Sequence, residues 1–193
     1  MSEAYVVVDN DFIDKLARVD QLELLRLDTN KIIITDKVYA ELEDAAVRRV
    51  PAAVKAMNWL ESNRGQPWLE LEAPTKPLSP ELAKTLGGGE GSIVSYINEQ
   101  KALDPIVRYT ALTDNIKDAK KITEALDDPS RASVRMVREY TNDLASRSII
   151  SADEYTRLEI NMVNSKAFSV PRVETYTIIP DTPNYGSTEI EIV

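Results

Sequence analysis

The sequence contains no cysteine and no histidine. Without cysteine, the protein can form neither disulfide bonds nor thiolate metal sites. Without histidine, it has no imidazole base, no histidine-containing catalytic triad and no histidine-based zinc peptidase motif. Any catalysis must therefore depend on carboxylates, hydroxyl groups, lysine or a bound cation.

Positive charge is also scarce. The chain has 23 lysine and arginine residues against 32 aspartate and glutamate residues, which gives a net charge of −9. A protein that coats nucleic acid without specificity is normally basic, so this composition argues against that class. A protein that handles nucleic acid locally, through a metal ion, is compatible with it.

Long apolar runs and a basic leader are missing as well. Residues 1–4 lack the positive charge of a signal peptide, and no apolar run approaches the length of a membrane span. We therefore expect a cytoplasmic protein that does not contact a membrane. The length of 193 residues, 43% of them hydrophobic, suits one domain with an appendage. We assign the domain to residues 1–172 and the appendage to residues 173–193.

Short apolar runs that end at an acid are the most informative feature present. Residues 5–8 are wholly apolar or aromatic and lead directly into Asp9, and a helical pattern follows. Residues 32–35 form a second such run, and residues 106–113 form a third that ends at Asp114. Runs of this type are typical of strands buried on both faces of a parallel sheet. Because sites in open α/β sheets lie at the carboxyl ends of the strands, we expect both acids at that edge.

Two further acids occupy unusual positions on predicted helices. Glu41 borders the buried stripe of one helix, and Glu90 follows three glycines and continues an apolar stripe. Several carboxylates in one pocket repel each other unless a cation lies between them. A donor set made only of oxygen favours Mg²⁺ or Mn²⁺. Such an ion binds phosphate oxygens and lowers the pKa of a bound water, which is the chemistry of phosphodiester hydrolysis.

Basic residues cluster in one part of the chain. We predict a helix over residues 131–144, on which arginines would form a stripe at i, i+4 and i+7. A solvated helix face is one reading of this stripe, and contact with an RNA backbone is the other. The candidate RNA-contacting set has six members: Lys117, Lys120, Lys121, Arg131, Arg135 and Arg138.

The appendage at residues 173–193 carries acids and no basic residue. Residues 176–179 and 188–193 have the pattern of two short strands joined by a turn. An edge hairpin, an arm that reaches across a dimer and a disordered tail all remain open. One hypothesis is that this acidic segment lies over the basic stripe and competes with RNA.

Four stretches together resemble the PIN-domain family: VVVDNDFIDKLARVDQLELLRL, IIITDKVYAELED, GGGEGSIVSYI and ALTDN. The resemblance covers residues 4–172, and residues 148–171 look like the end of the toxin-type members. It implies a three-layer α/β/α fold with a central parallel sheet, to which the appendage would add a short β-like extension. It also implies an Mg²⁺- or Mn²⁺-dependent ribonuclease that leaves a 5′-phosphate. Many relatives are toxins neutralised by a small antitoxin, and many form dimers.

Carried over by position, the resemblance assigns four catalytic acids: Asp9, Glu41, Glu90 and Asp114. It makes Asp9, Glu90 and Asp114 the metal ligands, and Asp118 is a further acid near the metal. Two positions depart from the family pattern. Asn10 stands where relatives have threonine or serine, and Asn115 stands where many have a second aspartate. Both asparagines are accessory candidates, because they can donate hydrogen bonds but add no charge.

Three functions follow from these patterns. The first is a metal-dependent endoribonuclease, either the toxin of a toxin–antitoxin pair or a related nuclease. The second is a PIN fold that has lost activity and binds RNA or a protein partner, which Asn10 and Asn115 favour. The third is a receiver-like phospho-acceptor domain, which we rank last because no strand-end lysine is in place.

Overall fold

The computed structural model describes residues 4–103, 106–128, 130 and 132–165. Arg131 and the appendage at residues 173–193 lie outside these residues. The predicted terminal strands, the domain boundary at residue 172 and the hypothesis that the acidic segment competes with RNA therefore stay predictions.

The core of the fold is one sheet of five parallel strands. Their bounds are β1 (Ala4–Val8), β2 (Lys31–Thr35), β3 (Leu69–Ala73), β4 (Arg108–Leu112) and β5 (Ala132–Arg135). The spatial order is β3-β2-β1-β4-β5. Val7 of β1 stands opposite Ile33 on one side and Ala111 on the other, and all three are fully buried. Their apolar side chains explain why β1, β2 and β4 form the interior of the sheet.

Eight helices occur in the described part of the chain. They are α1 (Asn10–Arg18), α2 (Asp36–Val47), α3 (Pro51–Ser62), α4 (Leu82–Thr85), α5 (Gly88–Leu103), α6 (Ile116–Ala125), α7 (Val137–Ser146) and α8 (Ala152–Asn164). A 3-10 helix, Leu22–Arg26, precedes β2. The helices flank the sheet, so the predicted three-layer α/β/α architecture is confirmed. Within the residues that the structure describes, none of the helices has the length and apolar character that crossing a membrane requires.

An aromatic contact links α7 to α1. The rings of Phe12 and Tyr140 meet edge to face with their centroids 5.7 Å apart. The Tyr140 hydroxyl donates a hydrogen bond to the Leu24 carbonyl at 3.0 Å. An aromatic pair of this kind adds about 1 kcal/mol beyond the area that it buries. This contact holds α7 beside the start of α1, where the candidate acids lie.

The predicted helix over residues 131–144 is wrong in its first half. Ala132–Arg135 form the edge strand β5, which pairs in parallel with β4 so that Leu112 lies opposite Arg135. Helix α7 begins only at Val137. Strand pairing with β4 overrides the local helical period, because β propensity depends strongly on the partner strand. The arginine stripe at i, i+4 and i+7 therefore does not exist: Arg135 lies on a strand and Arg138 on a helix.

Two predicted boundaries also move. The third apolar run forms a strand only over Arg108–Leu112, inside the predicted residues 106–113. The glycine run was expected to precede a helix that opens at Glu90, but α5 already begins at Gly88. Gly88 and Gly89 thus belong to the first turn of α5.

The strand order creates a switch point between β1 and β4. From β1 the chain builds outwards through β2 and β3, and it then returns to the other side of β1 to form β4 and β5. The connections that leave β1 and β4 diverge at their carboxyl ends. In open α/β sheets this crevice is the usual place for a ligand site. Asp9 and Asp114 follow these two strands, as the sequence predicted.

Candidate metal centre

Asp9 is buried at the carboxyl end of β1, with 6% of its surface exposed. Its Oδ1 accepts a hydrogen bond from the Asn10 backbone N–H at 2.8 Å, so it is the N-cap of α1. Its Oδ2 accepts a hydrogen bond from the Thr113 hydroxyl at 3.0 Å. Burial raises the pKa of Asp9 to about 7, and repulsion from Asp11 and Glu90 adds to the effect. Capping accounts for the bond to Asn10 but does not require this burial.

Gly89 leaves a gap between Asp9 and Glu41. A Cβ atom at Gly89 would lie 3.2 Å from Asp9 Oδ1 and 3.2 Å from Glu41 Oε2. The Gly89 backbone N–H donates a hydrogen bond to the Glu41 carboxylate. Desolvation raises the pKa of Glu41, and repulsion from Glu90 raises it further. Two carboxylates from different elements therefore face one small space that only glycine leaves open.

A buried pair of hydroxyl groups fixes the position of Gly89. The hydroxyls of Thr35 and Ser92 are hydrogen-bonded at 2.6 Å, and Ser92 also donates to the Gly89 carbonyl at 2.7 Å. Thr35 is the N-cap of α2, the helix that carries Glu41. The start of α5 is thus tied to the start of α2. This connection holds Glu41 and Gly89 in register with each other.

Glu90 turns back towards its own helix start. Its carboxylate accepts a hydrogen bond from its own backbone N–H, and a Cβ atom at Gly87 would collide with it. Desolvation raises the pKa of Glu90, and the nearby carboxylate of Asp118 raises it further. Asp118 is buried on α6 and accepts a hydrogen bond from the Lys121 ammonium at 3.0 Å. The predicted accessory acid Asp118 therefore lies beside Glu90.

Asp114 closes the other side of the crevice. Its Oδ1 accepts a hydrogen bond from the Val137 backbone N–H at 3.3 Å, and its Oδ2 lies 3.8 Å from the Lys15 ammonium. Desolvation raises its pKa even though Lys15 opposes the shift. The adjoining Asn115 is the N-cap of α6, since its side chain accepts from the Lys117 N–H at 3.0 Å. This capping bond accounts for the asparagine in structural terms. Asn10, the other accessory candidate, meets Asp9 through its backbone.

Asp11 is the acid that was not identified from the sequence as a site residue. It lies in the first turn of α1, and desolvation raises its pKa. Its charge raises the pKa values of Asp9, Glu41 and Asp114, which places it within electrostatic reach of three of the four predicted acids. The signal for it was its position two residues after Asp9. Thr113, which orients Asp9, was also missed.

The acids share one electrostatic condition. The pKa is raised, with desolvation as the largest cause, in each of five carboxyl groups: Asp9, Asp11, Glu41, Glu90 and Asp114. Groups with perturbed pKa values concentrate at functional sites. As the side chains stand, no three acids of the described residues are grouped closely enough to hold a metal ion. Three acids of this region contact nearby groups instead: Glu90 accepts from its own N–H, Asp118 binds Lys121, and Asp114 lies near Lys15.

The donor chemistry nevertheless fits a hard divalent cation. All donors are carboxylate oxygens, which Mg²⁺ and Mn²⁺ prefer. The absence of a side chain at Gly89 lets its backbone approach the carboxylates of Asp9 and Glu41 closely. A cation there would also relieve the repulsion that raises the pKa values of these acids.

A cleft of about 660 Å³ adjoins the acids. Asp11 and Asp114 of the candidate metal centre line this cleft. The cationic side chains that line it are Lys15, Arg18, Lys117 and Arg138. Ile116, 72% exposed, and Met136 supply apolar surface. Four cations thus line the cleft beside three acids, Asp11, Asp14 and Asp114, and Lys15, Arg18 and Arg138 each form a salt bridge with an acid.

The structure divides the candidate RNA-contacting set. Lys117 and Arg138 line the cleft. Lys120 pairs with Glu124 along α6, Lys121 binds Asp118, and Arg135 binds Asp143 at 2.8 Å. Arg131 lies outside the described residues. Of the five predicted members that the structure describes, Lys117 and Arg138 therefore line the cleft, where Lys15 and Arg18 of α1 join them.

Comparison with known proteins gives one match. A family model described as a PIN domain matches residues 5–107, which include Asp9, Glu41 and Glu90. Asp114 and Asp118 lie beyond the matched residues. Neither the search of curated proteins nor the search of solved structures found a match.

Proposed function

This chain belongs to the PIN-domain family, and on that premise we propose that it is a metal-dependent endoribonuclease. PIN domains are generally nucleases, and they typically use divalent metals. The observation that supports the proposal best is the pair Asp9 and Glu41, whose carboxylates face the gap at Gly89. In a chain without histidine, a bound cation is one way to generate a nucleophile at neutral pH.

The four predicted acids would form the metal site. Asp9, Glu90 and Asp114 would hold Mg²⁺ or Mn²⁺, with Glu41 completing the set. The bound ion would supply a hydroxide near neutral pH and stabilise the charge that develops on phosphate. Thr113 orients Asp9 through its hydrogen bond, and the missing side chain at Gly89 leaves room beside it. Binding an ion would replace the present local partners of Glu90 and Asp114.

RNA is the proposed substrate. Lys117 and Arg138 line the cleft beside the acids, where they would contact backbone phosphates. Contacts of this kind would attract RNA locally in spite of the net charge of −9. A toxin role with a small antitoxin partner, assembly into a dimer and a cytoplasmic location are part of the same proposal, and they derive from the family resemblance.

The test compares two aspartates that each directly follow a strand at the same edge. Asp36 follows β2 as Asp9 follows β1, but it is half-buried, accepts hydrogen bonds from the Lys37 N–H and the Thr75 hydroxyl, and lies 4.0 Å from the Lys37 ammonium. Cleavage of a labelled single-stranded RNA is measured with Mn²⁺ present. We expect Asp9→Asn to reduce the rate by more than about 100-fold, since loss of a ligand exceeds the effect of losing an outer partner. Asp36→Asn should cleave like the wild type.

Two results would contradict the proposal. Cleavage by Asp9→Asn at the wild-type rate would remove Asp9 from the mechanism. Absence of Mn²⁺ binding by the wild type in a calorimetric titration would instead favour a PIN-fold binding module without activity. This second function is supported by one observation: in the described residues no three acids are close enough together to hold a metal ion.

A further inference from the structure

Two apolar side chains of the cleft lie outside the hydrophobic core. Ile116, the first residue of α6, is 72% exposed, whereas Ile122 of the same helix is fully buried. Met136, which directly precedes α7, is half-buried and lines the same cleft as Ile116. Single exposed apolar side chains are common on any protein surface, but two of them in one concave site indicate contact with a ligand.

Both side chains stand beside Asp114, on the two connections that leave β4 and β5. Ile116 follows Asp114 by two residues in the connection after β4. Met136 comes directly before Val137, whose N–H donates a hydrogen bond to Asp114 Oδ1 at 3.3 Å. Asp114 therefore joins the two connections, and the apolar surface of the cleft begins next to the candidate metal centre.

The same two connections also carry cations. Lys117 follows Ile116, and Arg138 lies two residues after Met136, and both line the cleft. Arg138 binds Glu159 at 3.0 Å. Lys117 is exposed and forms no salt bridge with the acids of the described residues, unlike the other three cations of the cleft. Apolar surface next to such an ammonium matches one nucleotide, which has an apolar base face and an anionic phosphate.

We propose that Ile116 and Met136 contact the face of an RNA base while Lys117 binds a neighbouring phosphate, so that the cleft selects single-stranded RNA. This inference rests on the proposed function, because it concerns the substrate of the same site. In a duplex the bases are stacked on each other and their faces are closed to side chains, whereas an unpaired base can turn its face to the cleft. The cleft volume of about 660 Å³ is large enough for such a unit.

The test measures the binding of two labelled strands to the full chain by fluorescence anisotropy, with a chelator present so that neither strand is cut. One is a short single-stranded RNA, and the other is an abasic ribose-phosphate strand of the same length, which carries the charges without the bases. Ile116→Ala should weaken binding of the RNA by about 5-fold and leave binding of the abasic strand unchanged, because only apolar contact is lost. Ile160→Ala is the matched control and should change neither, since Ile160 on α8 is also exposed, at 53%, but does not line the cleft.

The salt dependence separates the two kinds of contact. Lys117→Gln should weaken binding of both strands and reduce the slope of log affinity against log salt by about 0.7, which is the value for one phosphate contact to a single strand. Ile116→Ala should leave this slope unchanged. The conservative variant Ile116→Leu should bind the RNA like the wild type.

The possible outcomes separate this inference from the proposed function. Equal binding of the two strands by the wild type, or an equal effect of Ile116→Ala on both, would overturn the base contact and leave a metal-dependent nuclease intact. Tighter binding of the matching duplex than of the single strand would overturn it as well. If the strands bind as expected but RNA is not cut with Mn²⁺, the nuclease proposal fails and the base contact stands. If circular dichroism shows that Ile116→Ala does not fold, Met136→Ala provides the same comparison.

Discussion

Two acid-rich regions of this molecule have opposite electrostatics. In the first region Arg64, which follows α3, binds Glu61 of α3 at 2.7 Å and Glu72 of β3 at 3.1 Å on the surface. The hydrogen bonds that Glu61 accepts from Arg64 and from Tyr39 of α2 lower its pKa to about 2. At the carboxyl ends of β1 and β4, burial instead raises the pKa of Asp9 to about 7. Both regions contain carboxylic acids, but the pKa shifts of Glu61 and Asp9 have opposite signs.

The difference lies in where the compensating charge comes from. The Arg64 cluster (Tyr39, Glu61, Arg64 and Glu72) contains its own cation, so its carboxylates are satisfied without a ligand. At the candidate metal centre, desolvation is the largest cause of the raised pKa values, and Asp9 and Glu41 form no salt bridge with the described lysines and arginines. The direction of the pKa shifts therefore separates a structural cluster from a candidate binding site, which the number of acids would not do.

The strongest test of this comparison removes one carboxylate from each region. Glu41→Gln should weaken Mn²⁺ binding and RNA cleavage by about 100-fold or more, because it removes one of the two carboxylates at the gap beside Gly89. Glu61→Gln removes a carboxylate from the Arg64 cluster and should change neither quantity. Calorimetric titration and a labelled-RNA assay provide the two measurements. Equal losses in both variants would mean that the two regions do not differ in function.

A smaller effect is expected from the hydroxyl that orients Asp9. Thr113→Val keeps the shape of the side chain but removes the hydrogen bond to Asp9 Oδ2. Outer-shell partners of this kind change metal affinity or activity by about 10- to 100-fold. The matched control is Thr110→Val on β4, three residues before Thr113, where the hydroxyl is hydrogen-bonded to Ser133 at 3.1 Å instead. Wild-type Mn²⁺ affinity in Thr113→Val would show that Asp9 does not depend on this bond.

The smallest effect concerns stability against pH, where the two regions should respond in opposite directions. The pKa of Asp9 is raised from 3.8 to about 7, so between these values the folded state holds a proton that the unfolded state has lost. The free energy of unfolding of the metal-free protein should therefore fall as pH rises from about 4 to about 7, by at most about 1.4 kcal/mol per pH unit from this group. Glu61, with its pKa lowered to about 2, contributes stability above pH 4.5 that is lost as pH falls towards 2.

Urea unfolding at pH 5, 6 and 7, with a chelator or with Mn²⁺, measures this effect. Mn²⁺ requires the ionised carboxylate, so its stabilisation should grow as pH rises through 7. Asp9→Asn should flatten the decline in the metal-free protein and remove the Asp9-linked part of the gain with Mn²⁺. A decline of the same size in Asp9→Asn would assign it to other groups.

Much of the site was predictable because its signals are local. Asp9 and Asp114 each follow an apolar strand, and the sheet puts both strand ends at one edge. Glu41 was recognisable from its place beside a buried helical stripe. Asp11 was missed because two of the three acids whose pKa it raises, Glu41 and Asp114, are distant in the chain, and its nearness to Asp9 alone does not distinguish it from an ordinary acid in the first turn of a helix.

The basic residues show the limit of local periodicity. Arg135 and Arg138 have helical spacing in the sequence, but Arg135 pairs across from Leu112 as part of an edge strand. The period of a short segment with mixed propensity does not reveal whether a neighbouring strand is free to pair with it. Among the described members of the predicted set, Lys117 and Arg138 line the cleft, and Arg135 instead binds Asp143.

The order of residues along the chain was enough to determine the α/β class and the acids that end the strands, because apolar runs and helix starts are properties of neighbouring residues. Only the folded structure decided that Asp9 and Glu41 both face Gly89, that Thr113 orients Asp9 and that Lys121 binds Asp118 beside Glu90. These relations depend on how β1, β4, α2, α5 and α6 pack, and packing brings together side chains that are far apart in sequence.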